Sequence, residues 1–427
     1  MKHLLLACAA LIAAPLSAQT VAITGGKVVI GDGSAPIEQG VVIVTNGRVV
    51  AAGASIAIPA GAQRIDATGK WVTPGIVAGF TRLGLVGVDA VDPSNDAEAR
   101  NSPFNVSLDI APAINPDVAA VAVNRAAGVT RAIVSPDTGN AIFGGQGAVM
   151  DTGADFDPVT KARAFQFMEF GETGARLAGG SRPALIAAFK TALAEAKDAS
   201  LGVFREDPLL KRPDALALVP VLNGTMKLFV HVESAPDILA VLALKKSYPT
   251  LSLVLVGATE GWRVAPQIAA AKVPVMASAL NDLPDSFEQI AATQSNVGRM
   301  KAAGVEVGIG MINDNEARQA QLSMQYAGNL VALNKVPGAT GLSWGDAFAA
   351  ISSVPASIVG LGGEIGSLKA GRRADIVFWD GDPLEATSNV EKVWIDGVGQ
   401  PLSTRQTRLR DRYLQPGVGA LPDAYKH

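Results

Sequence analysis

The sequence predicts an α/β protein: a (β/α)8 TIM-like barrel beside a small composite β-sandwich built from both chain ends. Three observations predict it. Eight strand-like runs alternate with helical stretches between Pro74 and Leu361. The segments on either side, Val21 to Thr73 and Ala374 to Asp396, are short, β-rich and punctuated by turn residues. The 427-residue chain is 48% hydrophobic and 18% charged, a composition that can fill a large core and is too apolar for disorder.

In chain order, Met1 to Ala18 comes first. Lys2 and His3 precede an apolar run, Leu4 to Ile12, and Pro15, Ser17 and Ala18 close it as a cleavage site would. A signal peptide over 1–18 and a periplasmic or secreted mature protein starting near Gln19 are expected. Leu5-Leu6-Ala7-Cys8 supplies the alternative, lipid attachment at Cys8. Cys8 is the only cysteine, so the mature chain needs no disulfide. No later apolar segment is long enough to span a bilayer without charge or Gly/Pro breaks, so no membrane insertion of the mature chain is expected.

Residues 19–73 are expected as the first part of the β-sandwich, with Gly31-Asp32-Gly33 and Asn46-Gly47 as turns, the latter a strong hairpin signal. Residues 74–361 form the barrel. Its strands are read at Ile76 to Leu83, Val129 to Val134, Gly147 to Met150, Ala164 to Phe170, Lys227 to Val232, Ser252 to Val256, Val273 to Met276 and Val305 to Ile309. Helices are read at Ser181 to Lys197, with Ser181 as N-cap, and at Ala235 to Lys246, Trp262 to Ala271, Pro284 to Ala303 and Glu316 to Leu333. Leu83 to Val118 reads as a long loop, and Gly144-Gly145-Gln146-Gly147 as a tight turn. Residues 362–401 return to the sandwich, and the Arg-rich 402–427 forms a surface tail. A doubly wound open sheet is the alternative for the middle.

Composition also limits function. The net charge is −3 and no basic run exceeds a pair such as Lys245-Lys246, so no nucleic-acid partner is expected. There are three histidines, His3, His231 and His427. A multi-histidine metal centre cannot be built from one internal histidine and no internal cysteine. No Gly-x-Ser-x-Gly and no phosphate loop occur.

Two flanking motifs carry a family resemblance. Asp66-Ala67-Thr68-Gly69-Lys70-Trp71-Val72-Thr73-Pro74-Gly75-Ile76-Val77 resembles the approach to the barrel of the amidohydrolase superfamily. Gly366-Ser367-Leu368-Lys369-Ala370-Gly371-Arg372-Arg373-Ala374-Asp375-Ile376-Val377 resembles its exit, and Pro355 to Leu361 the segment before that. Ile114-Asn115-Pro116, Gly128-Val129-Thr130 and Gly257-Ala258-Thr259-Glu260-Gly261-Trp262 resemble the imidazolonepropionase-like branch of these metal-dependent hydrolases. The resemblance implies a barrel beside a composite β-sandwich, and hydrolysis of C–N bonds other than ordinary peptide bonds.

It also implies ligand positions that this chain fills differently. The first-strand His-x-His positions hold Phe80 and Arg82, a side chain with no donor and a cation. The fifth-strand histidine matches His231, followed by Glu233. The sixth-strand histidine falls at or beside Gly257, and the eighth-strand aspartate corresponds to Asp314. Glu169 is the carboxylate nearest the fourth-strand position. The candidate catalytic residues are therefore His231, Glu233 and Asp314, with Arg82 and Glu260 as substrate contacts. Trp262 is read as a packing residue.

No metal is expected. A single divalent ion such as zinc, on His231, Asp314 and one of Glu233 or Glu169, is the alternative. His231 reads either as a relic held by hydrogen bonds or as a base or ligand-binding donor. The functional expectation is a weakly active or inactive amidohydrolase. The alternative is a pseudoenzyme whose barrel mouth binds a small ligand, anionic or otherwise, or a protein partner. Oligomeric state is left open.

Overall fold

The turn dipeptides Asn46-Gly47 and Asp396-Gly397, far apart in sequence, abut in a computed structural model that describes residues 20–88, 90–312 and 318–414. Each closes a two-residue hairpin. Both residues of each have positive φ, 51° and 71° in the first and 53° and 77° in the second, the type I′ geometry that matches strand twist. Gly47 O accepts a hydrogen bond from Ala374 N–H at 2.8 Å, and Ala374 O accepts one from Gly397 N–H at 2.9 Å.

These hairpins belong to one sheet made from both chain ends. The first half contributes β1 (Thr20–Val28), β2 (Ile37–Thr45), β3 (Arg48–Gly53), β4 (Gln63–Asp66) and β5 (Trp71–Pro74). The barrel supplies β6 (Ile76–Thr81), β7 (Val129–Val134), β8 (Phe143–Asp151), β9 (Val159–Glu169), β10 (Lys227–Val232), β11 (Leu253–Gly257), β12 (Val275–Ala277) and β13 (Val307–Ile309). The chain then returns with β14 (Ile376–Trp379), β15 (Val390–Ile395) and β16 (Val398–Gln400). The first sheet runs β16-β15-β14-β5-β1-β2-β3, with β4 also on β1, and the β5–β14 antiparallel pair joins the two halves. It is hydrogen-bonded as one continuous sheet around its own core of Ile23, Val28, Val42, Val72, Ile376 and Phe378.

The second sheet runs β13 to β6 in order, and the Gly79–Gly310 parallel bridge brings its ends together. β8 is antiparallel to both β7 and β9, so the barrel departs from the all-parallel pattern the sequence suggested. The expected turn at Gly144–Gly147 lies inside β8. There the Phe165 ring occupies the space a side chain at 147 would need, so glycine permits close packing rather than chain reversal.

Among the helices, Ser181 Oγ accepts from Ala184 N–H and caps Arg182–Ser200 as expected. Pro284 to Ala303 is not one helix. It gives a 3-10 turn at Phe287–Gln289 and a helix at Asn296–Ala302, and between them Thr293 Oγ1 accepts locally from Ser295 N–H while Asn296 Nδ2 donates away to Ala258 O. The helix Arg212–Leu222, with Pro220 inside it, was not legible, and part of the tail is helical, Arg405–Leu414.

The sheet domain is locked to the barrel by Arg131 of β7. Its buried guanidinium takes both oxygens of Asp375, at 2.8 and 3.0 Å, and reaches Asp396 at 2.9 Å and Asp151 at 3.3 Å. Within the sheet domain, Trp379 Nε1 of β14 donates a buried hydrogen bond to Thr73 Oγ1 of β5 at 3.0 Å. No helix among the described residues is long and apolar enough to cross a membrane.

Candidate functional site at the barrel mouth

Alternation along β9 and β10 aims the candidate side chains. Phe165 and Phe167 on β9, and Phe229 on β10, lie in the barrel-interior cluster. Glu169 and His231, each two residues further on, continue those inward faces. The two are register partners at the carboxyl ends of neighbouring parallel strands, the end where barrel sites form.

Three side chains meet there. His231 Nδ1 lies 2.8 and 3.0 Å from the oxygens of Glu169. His231 Nε2 lies 2.9 Å from Oε1 of Glu233, whose Oε2 accepts from Thr259 N–H at 2.8 Å. Gly257 makes room for this. It ends β11 with φ of 86°, and a Cβ added to it would collide with Glu233 Oε1. A side chain at 257 and the Glu233 carboxylate in this position exclude each other.

The electrostatics follow. Burial by itself would lower the His231 pKa, but Glu169 and Glu233 outweigh it and hold the imidazole well above the ordinary histidine range. Two facing carboxylates are satisfied when both ring nitrogens carry hydrogen. In that state the ring has no lone pair for a metal and no basic nitrogen to accept a proton.

Phe80 has φ of 49°, uncommon for a bulky residue, within an irregular stretch of the β6–β7 register. Its ring turns into the interior, 5.3 Å from that of Phe167. Arg82, just past β6, has 14% of its side chain exposed, and its Nη2 lies 2.7 Å from Asp137 Oδ2. The sequence reading missed Asp137 as the partner. Its signal was its place, three residues beyond the end of β7. The cation expected to meet a substrate is balanced by a carboxylate of its own.

Glu260 is corrected. Its oxygens accept from Ala235 N–H, Ala291 N–H and Arg263, and it is 3% exposed, so it braces three segments instead of contacting a substrate. Trp262 packs, donating from Nε1 to Ala291 O at 2.9 Å with Arg299 over its ring. Asp314 lies outside the described residues.

A further cluster nearby carried no sequence signal. Glu288, in the segment after β12, accepts from Glu172 N–H at 2.6 Å and from Arg182 at 3.1 Å, and Arg182 also grips both oxygens of Asp237. Burial first, and Asp237 in addition, push Glu288 up to about 7, against the hydrogen bond from Glu172 N–H.

As a metal site these residues fit poorly. His231 has both nitrogens engaged, Phe80 and Gly257 offer no donor, and among the described residues no group of three or more His, Cys, Asp or Glu is disposed to hold an ion.

Fold and site together define an eight-stranded barrel with a composite sheet domain and a His–Glu cluster at its mouth. Residues 231–398 match the model of the Amidohydrolase family. The chain is 25% identical over 389 residues to the amidohydrolase tasK of Hapsidospora irregularis, covering 80% of this chain but 38% of that protein. The chain thus spans well under half the length of that relative. An amidohydrolase from Thermotoga maritima MSB8 superposes with a TM-score of 0.77 at 24% identity, covering 89% of this chain and 99% of that one. A zinc-bound adenosine deaminase from Xanthomonas campestris superposes with a TM-score of 0.52 at 18% identity, covering 92% and 98%. What the chain shares with the amidohydrolases is thus the family match over residues 231–398 and the fold.

Proposed function

We propose that this protein is a periplasmic or secreted amidohydrolase-superfamily member that hydrolyses non-peptide C–N bonds weakly or not at all. The superfamily supplies the reaction class. The observation that supports the departure is His231, with both ring nitrogens facing carboxylates. Hydrolysis in this fold needs an activated water, made either by a metal or by a base. An imidazolium clamped by Glu169 and Glu233 supplies neither. It holds β9, β10 and the start of the segment after β11 together. The mouth then serves to bind a small molecule. The pairing of Arg82 with Asp137 favours a neutral or zwitterionic ligand over a simple anion.

The test is turnover of N-acyl amino acids, ureas and amidines by the purified mature protein, with and without added zinc. Rates at background are expected in both conditions. Zinc-stimulated turnover that His231→Ala abolishes would overturn the reading. For the compartment, N-terminal sequencing from the native host should give Gln19, and an intact Met1 would contradict it.

A further inference from the structure

Away from the mouth, the barrel buries a cation without an acid. Arg125, near the end of the helix Ala119–Ala126 that leads into β7, is 6% exposed. Its Nε donates to Pro401 O at 3.1 Å and its Nη1 to Thr152 O at 2.6 Å. Among the described residues no carboxylate forms an ion pair with it, whereas Arg131, six residues on, holds three. Burial lowers the Arg125 pKa with no acid to offset it. Carbonyl oxygens accept from its Nε and Nη1 but leave its charge uncompensated, which is costly in a buried setting.

The guanidinium lines a cavity of about 350 Å³. Arg405 and Arg408, from the exposed helix Arg405–Leu414, line the same cavity, and Ser403 adds a hydroxyl. Neither arginine has an acidic partner among the described residues. The acids on the wall are Asp117 and Asp155, both exposed, so cations outnumber acids and only a cation is deeply buried. Thr152 follows β8, which runs against its neighbours, so Arg125 sits at the end of the barrel opposite His231.

We propose that this cavity binds a small ligand through an oxyanion, a phosphate or carboxylate group gripped by Arg125, Arg405 and Arg408. The planar guanidinium fork suits both groups. A bound anion supplies the counter-charge that Arg125 lacks. The proposal is independent of the reading of the mouth.

Calorimetric titration of the full mature chain with inorganic phosphate and, separately, with succinate tests it, at constant ionic strength set by sodium chloride. Saturable one-site binding of at least one anion is expected. Preference for phosphate would identify a phosphorylated ligand, and preference for succinate a carboxylate. The exposed double variant Arg405→Gln/Arg408→Gln should weaken binding by about tenfold or more, as expected for charge-assisted hydrogen bonds. Arg125→Met should abolish it, and if that variant does not fold, the exposed pair carries the test. His231→Asn should leave binding unchanged. No saturable binding of either anion, or binding that the double variant leaves intact, would overturn the proposal.

Discussion

His231 Nε2 lies 2.9 Å from Glu233 Oε1, and Glu233 fills the space that a side chain at position 257 would need. One carboxylate thus occupies a ring nitrogen and the neighbouring strand end at once. Together with Glu169 on the other nitrogen, it places an organic cation among the carboxyl ends of β9, β10 and β11.

Replacing His231 by Asn should destabilise the protein by about 3 kcal/mol near pH 6, the usual cost of removing one member of a buried ionic cluster. The pH sign follows from the raised pKa. The folded state holds the proton more tightly than the unfolded one. The stabilisation is complete below the ordinary histidine range and is lost as pH rises through the folded pKa. Thermal unfolding of both proteins across pH should show the gap narrowing toward alkaline pH.

Gly257→Ala should destabilise the fold by about 1–3 kcal/mol, since the residue has φ of 86° and the new Cβ would meet Glu233. In a Glu233→Ala background the collision is gone, so the Gly257→Ala penalty should shrink. A double-mutant cycle by urea denaturation measures this. Strict additivity would mean that the two positions do not compete for the same space.

Glu288 works in the opposite pH sense to an ordinary surface acid. Its folded pKa is pushed to about 7 from an ordinary 4.5. The folded state therefore holds an extra proton between those values, and stability falls as pH rises through that window. Glu288→Gln keeps an oxygen for Glu172 N–H and Arg182. It should flatten this part of the stability profile and be relatively more stable than the parent above pH 7.

Arg131→Met should cost about 3–5 kcal/mol, because it strands Asp375, Asp396 and Asp151 around a buried gap. Asp375 and Asp396 lie in the sheet domain, so loss should loosen that domain against the barrel. Hydrogen exchange should rise first at the β5–β14 junction.

The fold was legible because its signals are local. Asn46-Gly47 and Asp396-Gly397 fix their hairpins whatever surrounds them, and the alternation of Phe165, Phe167 and Glu169 identifies one strand face. The reversed direction of β8 was not legible, since an apolar run has no polarity along the chain. At the site, His231, Glu233 and Glu169 could be named from sequence, but their arrangement as a clamp depends on strand register and on the space left by Gly257. Glu260 was misread because its donors, Ala235 N–H and Ala291 N–H, are backbone groups that no side-chain pattern advertises. Asp137 and Arg125 went unassigned because their roles come from neighbours distant in sequence.

Metal content is the most direct test of the central claim. The purified protein should be analysed for zinc and other divalent metals after dialysis against metal-free buffer, with turnover followed before and after chelation. The clamp account predicts well under one ion per chain and no chelator-sensitive turnover. About two ions per chain, with hydrolysis abolished by the chelator and restored by zinc, would contradict it and return His231 to the role of a metal ligand.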